Sequence, residues 1–242
     1  MANLLMRRRG MKMEGAAKHG TWDDLFRAID MGTHATEYAV GEIIPLTIGS
    51  FGALNAQIVA FNADAKADGT GNAAVTFITE NTTTATHRFN PARTPDAAPF
   101  DEGTGLIGGW VKSELRTYVN DTVKPQFPAD VLARIVSVVK YSRGLNTSGS
   151  AVNNVVSNDE IWVPSRREMF SAGESSGPTY TSLFSSNAAR KKHIVGRPTS
   201  TPIYMLRTAY STTNIARVFG GGQLDSGAPT NAQYLAFGFC VD

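Results

Sequence analysis

The sequence predicts an α+β fold, and three observations lead there. Apolar periodicity runs helix, strands, helices, strands along the chain, which does not fit a βαβ series. The strand candidates are short and bounded by Gly-, Asn- or Pro-bearing turns. Strands are expected in both the first third and the last quarter, so both parts contribute to antiparallel sheet. At 242 residues the chain is long enough for a sizeable core, and it shows no repeat at solenoid or propeller period.

Residues 1–20 carry Arg7, Arg8 and Arg9 among Met and Gly without an amphipathic period, and read as a flexible or partner-docking arm. Thr21 then caps a helix, with Asp24 at the third position and Leu25, Phe26 and Ile29 as its apolar stripe; Gly32 ends it. Residues 40–48, 55–61 and 74–79 read as three strands of an antiparallel meander. The polar, Thr/Pro/Gly-rich stretch 81–109 reads as irregular surface structure. A helix is expected over 110–122, with Trp110, Leu115 and Val119 on one side, followed by helix then strand over 130–139. Residues 146–158 read as a polar loop and 161–163 as a short buried segment stopped by Pro164. Ser165 caps the next helix, with Glu168 completing a capping box. A further helix is expected over 180–192, ending in Arg190, Lys191 and Lys192. Short strands over 203–208, 215–219 and 235–240 finish the chain.

Composition excludes several classes of function. A net charge of +2 is too small to indicate nucleic acid or a membrane surface. No apolar run approaches the roughly 18 residues that span a bilayer, and no apolar stretch follows the basic N-terminus as in a secretory signal. The single cysteine, Cys240, rules out an internal disulfide and a cysteine zinc cage, and is expected to be a buried, inert thiol. Asp64-Ala-Lys-Ala-Asp68-Gly69 starts like a calcium loop, but Lys66 occupies a ligand position and Val75 stands where Glu belongs, so a polar hairpin tip is expected. His19, His34, His87 and His193 lack metal spacing. No G-x-S-x-G elbow is present, and Gly220–Gly222 lacks the Lys-Ser/Thr of a phosphate loop, so it reads as a turn of close backbone approach. Asp23 with Asp24, and Asp101 with Glu102, are chain neighbours and read as cap or loop residues. No catalytic residue, metal site or cofactor is assigned.

Residues 198–242 contain no Lys, Glu or Trp, although all three occur upstream, while Tyr, Phe, Arg, Asn, Ser and Gly remain. Recognition surfaces have this composition: aromatic rings give contact area at low entropic cost, and small polar residues give adaptable hydrogen bonds.

Gly108-Gly-Trp110-Val-Lys-Ser113-Glu-Leu115-Arg116 resembles the GGW-x-x-S-x-L-R block of an uncharacterised domain family of gut bacteria, their prophages and phages. Asn146-Thr-Ser148-Gly149, Ile161-Trp-Val-Pro164-Ser165-Arg-Arg-Glu168 and Ala236-Phe-Gly238-Phe-Cys240-Val241 resemble its later blocks. Tyr204-Met-Leu206-Arg207-Thr208-Ala209 stands where that family has W-W-L-R-S. The resemblance covers most of the chain from Thr21 onward. It implies a C-type lectin-like fold of the formylglycine-generating-enzyme type, with a small antiparallel sheet, flanking helices and long irregular loops over 21–242. That enzyme activity uses a cysteine pair, which one cysteine cannot supply. Some members resemble variable proteins of diversity-generating retroelements, whose C-terminal codons are rewritten at adenines. Rewritten Asn codons do not yield Lys, Glu, Gln, Met or Trp, so Met205, Gln223 and Gln233 would be fixed positions.

The resemblance therefore implies a non-enzymatic, receptor-binding or adhesin-like protein of phage or prophage origin, with a variable display region at about 203–235. The implied contacts are Ile203, Tyr204, Tyr210, Thr213, Asn214, Arg217, Phe219, Leu224, Asp225 and Tyr234. Leu206, Phe237 and Phe239 are expected in the core, and Arg207 is expected to pair behind the face. The implied partner is a bacterial cell-surface protein or glycan, with other virion proteins docking through residues 1–20; homo-oligomerisation is left open. Neither nucleic acid nor membrane insertion is expected. Synthesis is expected in the bacterial cytoplasm without a signal peptide, and the working place is a virion, on tail or capsid. Two alternatives are a virion structural or decoration protein anchored by the arm and the 81–109 loop, and a glycan hydrolase, which would need convergent carboxylates.

Overall fold

The computed structural model describes residues 20–90, 109–146 and 150–242, and its architecture is mixed α+β with small antiparallel sheets and short helices. The expectations for residues 1–19, for 91–108 of the irregular stretch (Asp101 and Glu102 included) and for 147–149 lie outside these residues.

The first helix, α1 (Trp22–Asp30), starts where the cap predicts: the Thr21 hydroxyl accepts the Asp24 amide at 3.2 Å. Its apolar side buries Leu25, Phe26 and Ala28, and Trp22 reaches across to donate from Nε1 to Pro45 O at 3.0 Å. A four-residue helix, α2 (His34–Glu37), follows. The strand expected over 40–48 is broken into β1 (Ile43–Ile44) and β2 (Thr47–Ile48), because Pro45 has no N–H to extend a ladder. β2 turns through 49–51 into β3 (Gly52–Ala53), its hairpin partner. β4 (Ala56–Phe61) and β5 (Val75–Thr79) match the second and third expected strands.

The expected helix over 110–122 is segmented. A 3-10 turn (Gly109–Lys112) leads into α3 (Glu114–Tyr118), capped by the Ser113 hydroxyl, and then a π turn (Val119–Val123). Trp110, Leu115 and Val119 are nonetheless all fully buried. Next come α4 (Ala129–Leu132) and β6 (Val138–Leu145), the helix-then-strand expected there. The polar loop expected over 146–158 is instead largely strand: β7 (Ala151–Asp159) pairs antiparallel with β6. Its Asn- and Ser-rich composition reflects a ribbon with most of its outer strand in solvent, not irregular chain.

β8 (Ile161–Trp162) ends before Pro164, and α5 (Arg166–Phe170) opens with the full capping box of Ser165 and Glu168. The helix expected over 180–192 shrinks to α6 (Asn187–Arg190). Ser185 and Ser186 interrupt the pattern, and the Ser186 hydroxyl caps the short helix rather than propagating a long one. Among the described residues no helix is long and apolar enough to cross a membrane.

β9 (Tyr204–Ala209), β10 (Ile215–Val218) and β11 (Leu224–Gly227) form a three-stranded antiparallel sheet in the order β11-β10-β9. Of these, β11 has no apolar signal in the sequence. The last strand, β12 (Gly238–Val241), inserts between β5 and β8 to complete a five-stranded antiparallel sheet, β1-β4-β5-β12-β8. Phe239 lies opposite Phe77 in that ladder with the rings stacked at 5.1 Å, so the early and late parts of the chain meet at the centre. Both faces of the sheet are covered. Ile58, Phe77 and Phe239 belong to the main core with Trp110 and Trp162. Val59 and Ile78 belong to a second cluster with Tyr180, Phe184, Tyr204, Leu206 and Val218.

Gly238 faces Trp162 across the β12–β8 pairing, and a Cβ there would lie 2.4 Å from the indole Nε1. Gly238→Ala is expected to lower unfolding free energy by about 1–3 kcal/mol through overpacking, measurable as a drop in urea midpoint at constant m-value.

Candidate functional site

Four charged side chains meet inside the molecule. Asp64 comes from the β4–β5 connection, Lys140 from β6, Glu168 from α5 and Arg207 from β9, and none is more than 1% exposed. The Lys140 ammonium donates to Asp64 Oδ1 at 2.6 Å, to Glu168 Oε1 at 3.1 Å and to the Tyr180 hydroxyl oxygen at 3.0 Å. It also sits 3.6 Å from the centroid of the Trp162 ring. Arg207 grips Glu168 with both ends of its fork, Nη1 to Oε2 at 2.7 Å and Nη2 to Oε1 at 2.9 Å. Its remaining donors reach Val163 O and Tyr141 O. Asp64 Oδ2 accepts from the hydroxyls of Tyr180 and Thr76, and Thr76 touches the Cys240 thiol at 3.3 Å.

Two cations face two carboxylates, so the cluster is neutral, and the electrostatics follow from that pairing. Burial alone would raise the Glu168 carboxyl, but Arg207 and Lys140 outweigh it and hold the group at about 2. Burial would lower Lys140, but Asp64 and Glu168 reverse that and raise it. Burial, reinforced by the Asp64 charge, pushes the Tyr180 hydroxyl and the Cys240 thiol well up. Cys240 thus remains a buried thiol, as its sequence context suggests. The crevice beside Lys140, Glu168 and Arg207 has no room for a water-sized molecule. In this arrangement the quartet acts as a clamp between segments.

A second buried cation, Lys192, has no carboxylate bound to it among the described residues. Its ammonium donates to Thr79 O at 2.5 Å and lies near the rings of Phe184 and Tyr204. Burial lowers its ionisation to about 7.

The ten implied contact residues do not form one surface. Tyr204 is fully buried: its ring packs in the second cluster and its hydroxyl donates to Arg190 O at 2.7 Å, which makes it a core residue and not a contact. Leu224 and Tyr234 are half-buried and pack against the same cluster. Arg217 and Asp225 lie opposite each other on β10 and β11, on the alternate face, and form an ion pair at 2.7 Å. Burial works to raise the Asp225 carboxyl, but the Ser226 amide and the Arg217 guanidinium prevail and hold it below the ordinary range. Gly227 leaves space for that guanidinium, since a Cβ there would lie 2.5 Å from Nη1.

The remaining residues divide between the two ends of the hairpin. Tyr210, Thr213 and Asn214 form the β9–β10 turn, with Tyr210 and Thr213 exposed. Half-buried Ile203 and exposed Phe219 lie at the other end, beside the turn through Gly222. A Cβ on Gly222 would lie 1.8 Å from Asn187 O, which is the close backbone approach the triple glycine suggests. Leu206, Phe237 and Phe239 are fully buried and Arg207 pairs behind the sheet, as expected.

Sequence reasoning missed the quartet, Asp64 above all. One signal was present: in the β6 string Val138-Val-Lys140-Tyr-Ser142, Lys140 shares the parity of inward Val138 and Ser142.

With this geometry in view, one relationship is decisive: a family described as Domain of unknown function (DUF6273) matches residues 97–236. The chain belongs to that family. No curated protein and no solved structure shows a significant match to it. The DUF6273 match contains Lys140, Glu168, Arg207 and all ten display residues, but not Asp64, Thr76 or β12. The DUF6273 segment therefore completes its buried quartet with a residue from the preceding chain.

Lys140→Met leaves the buried Asp64 carboxylate without its cation, while Glu168 keeps Arg207, and is expected to cost about 3–5 kcal/mol in urea unfolding. Glu168 has a depressed carboxyl, so its contribution is complete above the ordinary value of 4.5 and is lost as pH falls towards 2. Acid titration of stability should show this limb in the native chain and a flatter profile in Glu168→Gln. Lys192 is depressed as a base, so above 7 the unfolded chain holds more protons at this site, and stability should rise with pH from 7 to 9.0, the ordinary thiol value, above which the raised Cys240 thiol works the other way. Lys192→Met should remove the rise.

Proposed function

We propose that this protein is a non-enzymatic recognition module on a C-type lectin-like scaffold, and that the β9–β10 turn around Tyr210 is the centre of its binding surface. One observation carries the reading. All six residues of β9 are buried, and the very next residue, Tyr210, is 38% exposed. An aromatic ring is thus presented at the end of a strand that Arg207 bolts to α5 and β6. Rigid presentation of an aromatic anchor beside small polar residues is what a recognition surface needs. Thr213 and Asn214 supply the adaptable polar groups, and Phe219 is a second exposed ring at the far end of β10. The quartet and Lys192 are all sealed in the interior, which favours binding over turnover.

The scaffold assignment rests on the block resemblance, and a five-stranded antiparallel sheet that joins the two ends of the domain is compatible with it. The same resemblance supplies the setting: a phage or prophage protein meeting a protein or glycan on a bacterial surface, with a C-terminal segment open to diversification. The revised contact set is Tyr210, Thr213, Asn214 and Phe219, with Ile203, Arg217 and Asp225 at its margins.

The test is binding of the fluorescent full chain to intact bacterial cells and to a glycan array. Tyr210→Ala and the triple variant Tyr210→Ala, Thr213→Ala, Asn214→Ala should bind about ten-fold more weakly or worse, a loss of about 1.4 kcal/mol. Their unfolding free energies should stay within about 0.5 kcal/mol of the native chain, as for surface substitutions. Unchanged binding by these variants and by Phe219→Ala would remove the assignment.

A further inference from the structure

Of the eight half-buried or buried arginines among the described residues, four form ion pairs, and the side chains of Arg167 and Arg190 are spent on main-chain and Asn187 oxygens. Arg116 pairs with Asp159, Arg134 with Asp30, Arg207 with Glu168 and Arg217 with Asp225. Arg143 on β6 and Arg166 at the start of α5 differ. Both are half-buried, and among the described residues neither forms an ion pair. The Nε of each is buried, and among the described residues it has no acceptor.

Both side chains reach the same place. Arg143 Nη1 donates to Tyr210 O at 3.2 Å, and Arg166 Cζ lies 5.3 Å from the centroid of the exposed Tyr210 ring. The nearby carboxylate, Glu174, forms no ion pair with either. It is buried and bonds the Arg143 and Arg167 amides and the Thr208 hydroxyl, so it is engaged by the backbone that carries the two arginines. The Arg166 amide in turn donates to Thr208 Oγ1 at 2.8 Å, which holds the start of α5 two residues from Tyr210. Gly173 leaves the surface on which the Arg166 stem lies: a Cβ there would lie 3.2 Å from its Cδ. Two guanidinium groups on fixed backbone, each with an unused buried donor, beside an exposed ring, match the chemistry that binds an oxyanion.

We propose that Arg143 and Arg166, with Tyr210, form an anion-binding subsite that takes a ligand bearing a carboxylate, sulfate or phosphate group. The proposal rests on the recognition reading above and specifies the class of ligand. The guanidinium donors take the oxyanion and the Tyr210 ring covers the apolar face of whatever carries it.

The experiment follows the arginine Nε–H resonances of the isotopically labelled full chain during titration with sodium glucuronate, sodium sulfate and neutral glucose, at ionic strength matched with sodium chloride. Arg143→Gln and Arg166→Gln identify the two signals by their loss. Glucuronate or sulfate is expected to shift both signals, glucose and chloride neither. Each single variant should weaken anion affinity about ten-fold or more. A shift with glucuronate alone assigns a sugar-borne carboxylate, and a shift with both assigns a general oxyanion site. If neither anion moves the signals, or if both variants bind anion as the native chain does, the subsite is refuted. Cell or glycan binding that is lost in Tyr210→Ala but kept in both glutamine variants would refute the anion subsite while leaving the recognition reading intact.

Discussion

The fold is organised by a neutral set of four buried charges. Asp64, Lys140, Glu168 and Arg207 come from four separate segments, and each would be strongly destabilising if buried alone. Together they compensate one another, and every donor of the Arg207 fork finds an acceptor. The geometric demand is strict: two forked bonds to Glu168 fix α5 against β9, and Lys140 fixes both to the β4–β5 connection. Hydrophobic contact alone tolerates sliding, whereas a bidentate ion pair does not. The quartet sets where these segments stand, and the apolar clusters fill the space around it.

That constraint reaches the surface through β9. The strand is buried on both faces: its Met205 and Ala209 belong to the main core and its Tyr204 and Leu206 to the second cluster. Its C-terminal end can therefore move little, and the residues just beyond it inherit the rigidity of the interior. The elements that supply Lys140 and Glu168 also supply Arg143 and Arg166, and Tyr210 directly follows the strand that supplies Arg207, each two or three positions along the chain. An interior ion-pair set and an outward cationic patch are thus two sides of one junction between β6, α5 and β9.

What the sequence discloses is what depends on near neighbours. The caps at Thr21 and Ser165 are legible because donor and acceptor are three residues apart. Leu206, Phe237 and Phe239 are legible as core because they are apolar and regularly placed. The quartet is illegible because its partners are 39 or more residues apart, apart from the Lys140–Glu168 contact at 28. Asp64 therefore looks like the solvated tip of a hairpin. β7 and β11 are hidden by polar side chains on strands that lie at sheet margins. Tyr204 misleads for a different reason: tyrosine suits a contact surface and a core equally, and only the Arg190 carbonyl within reach of its hydroxyl decides.

The β9–β10 hairpin also sets a scale. Tyr210 is level with Asn214 at one end and Phe219 follows Val218 at the other, so the two outward rings are separated by roughly 15 Å of extended chain. A single sugar can cover one ring and not both. A folded macromolecule can cover both at once, and would then hold two grips on one stiff rod, each raising the effective concentration of the other. Small ligands and whole cells would accordingly sample the same patch with quite different strength, and the difference would measure how far the partner extends along the rod.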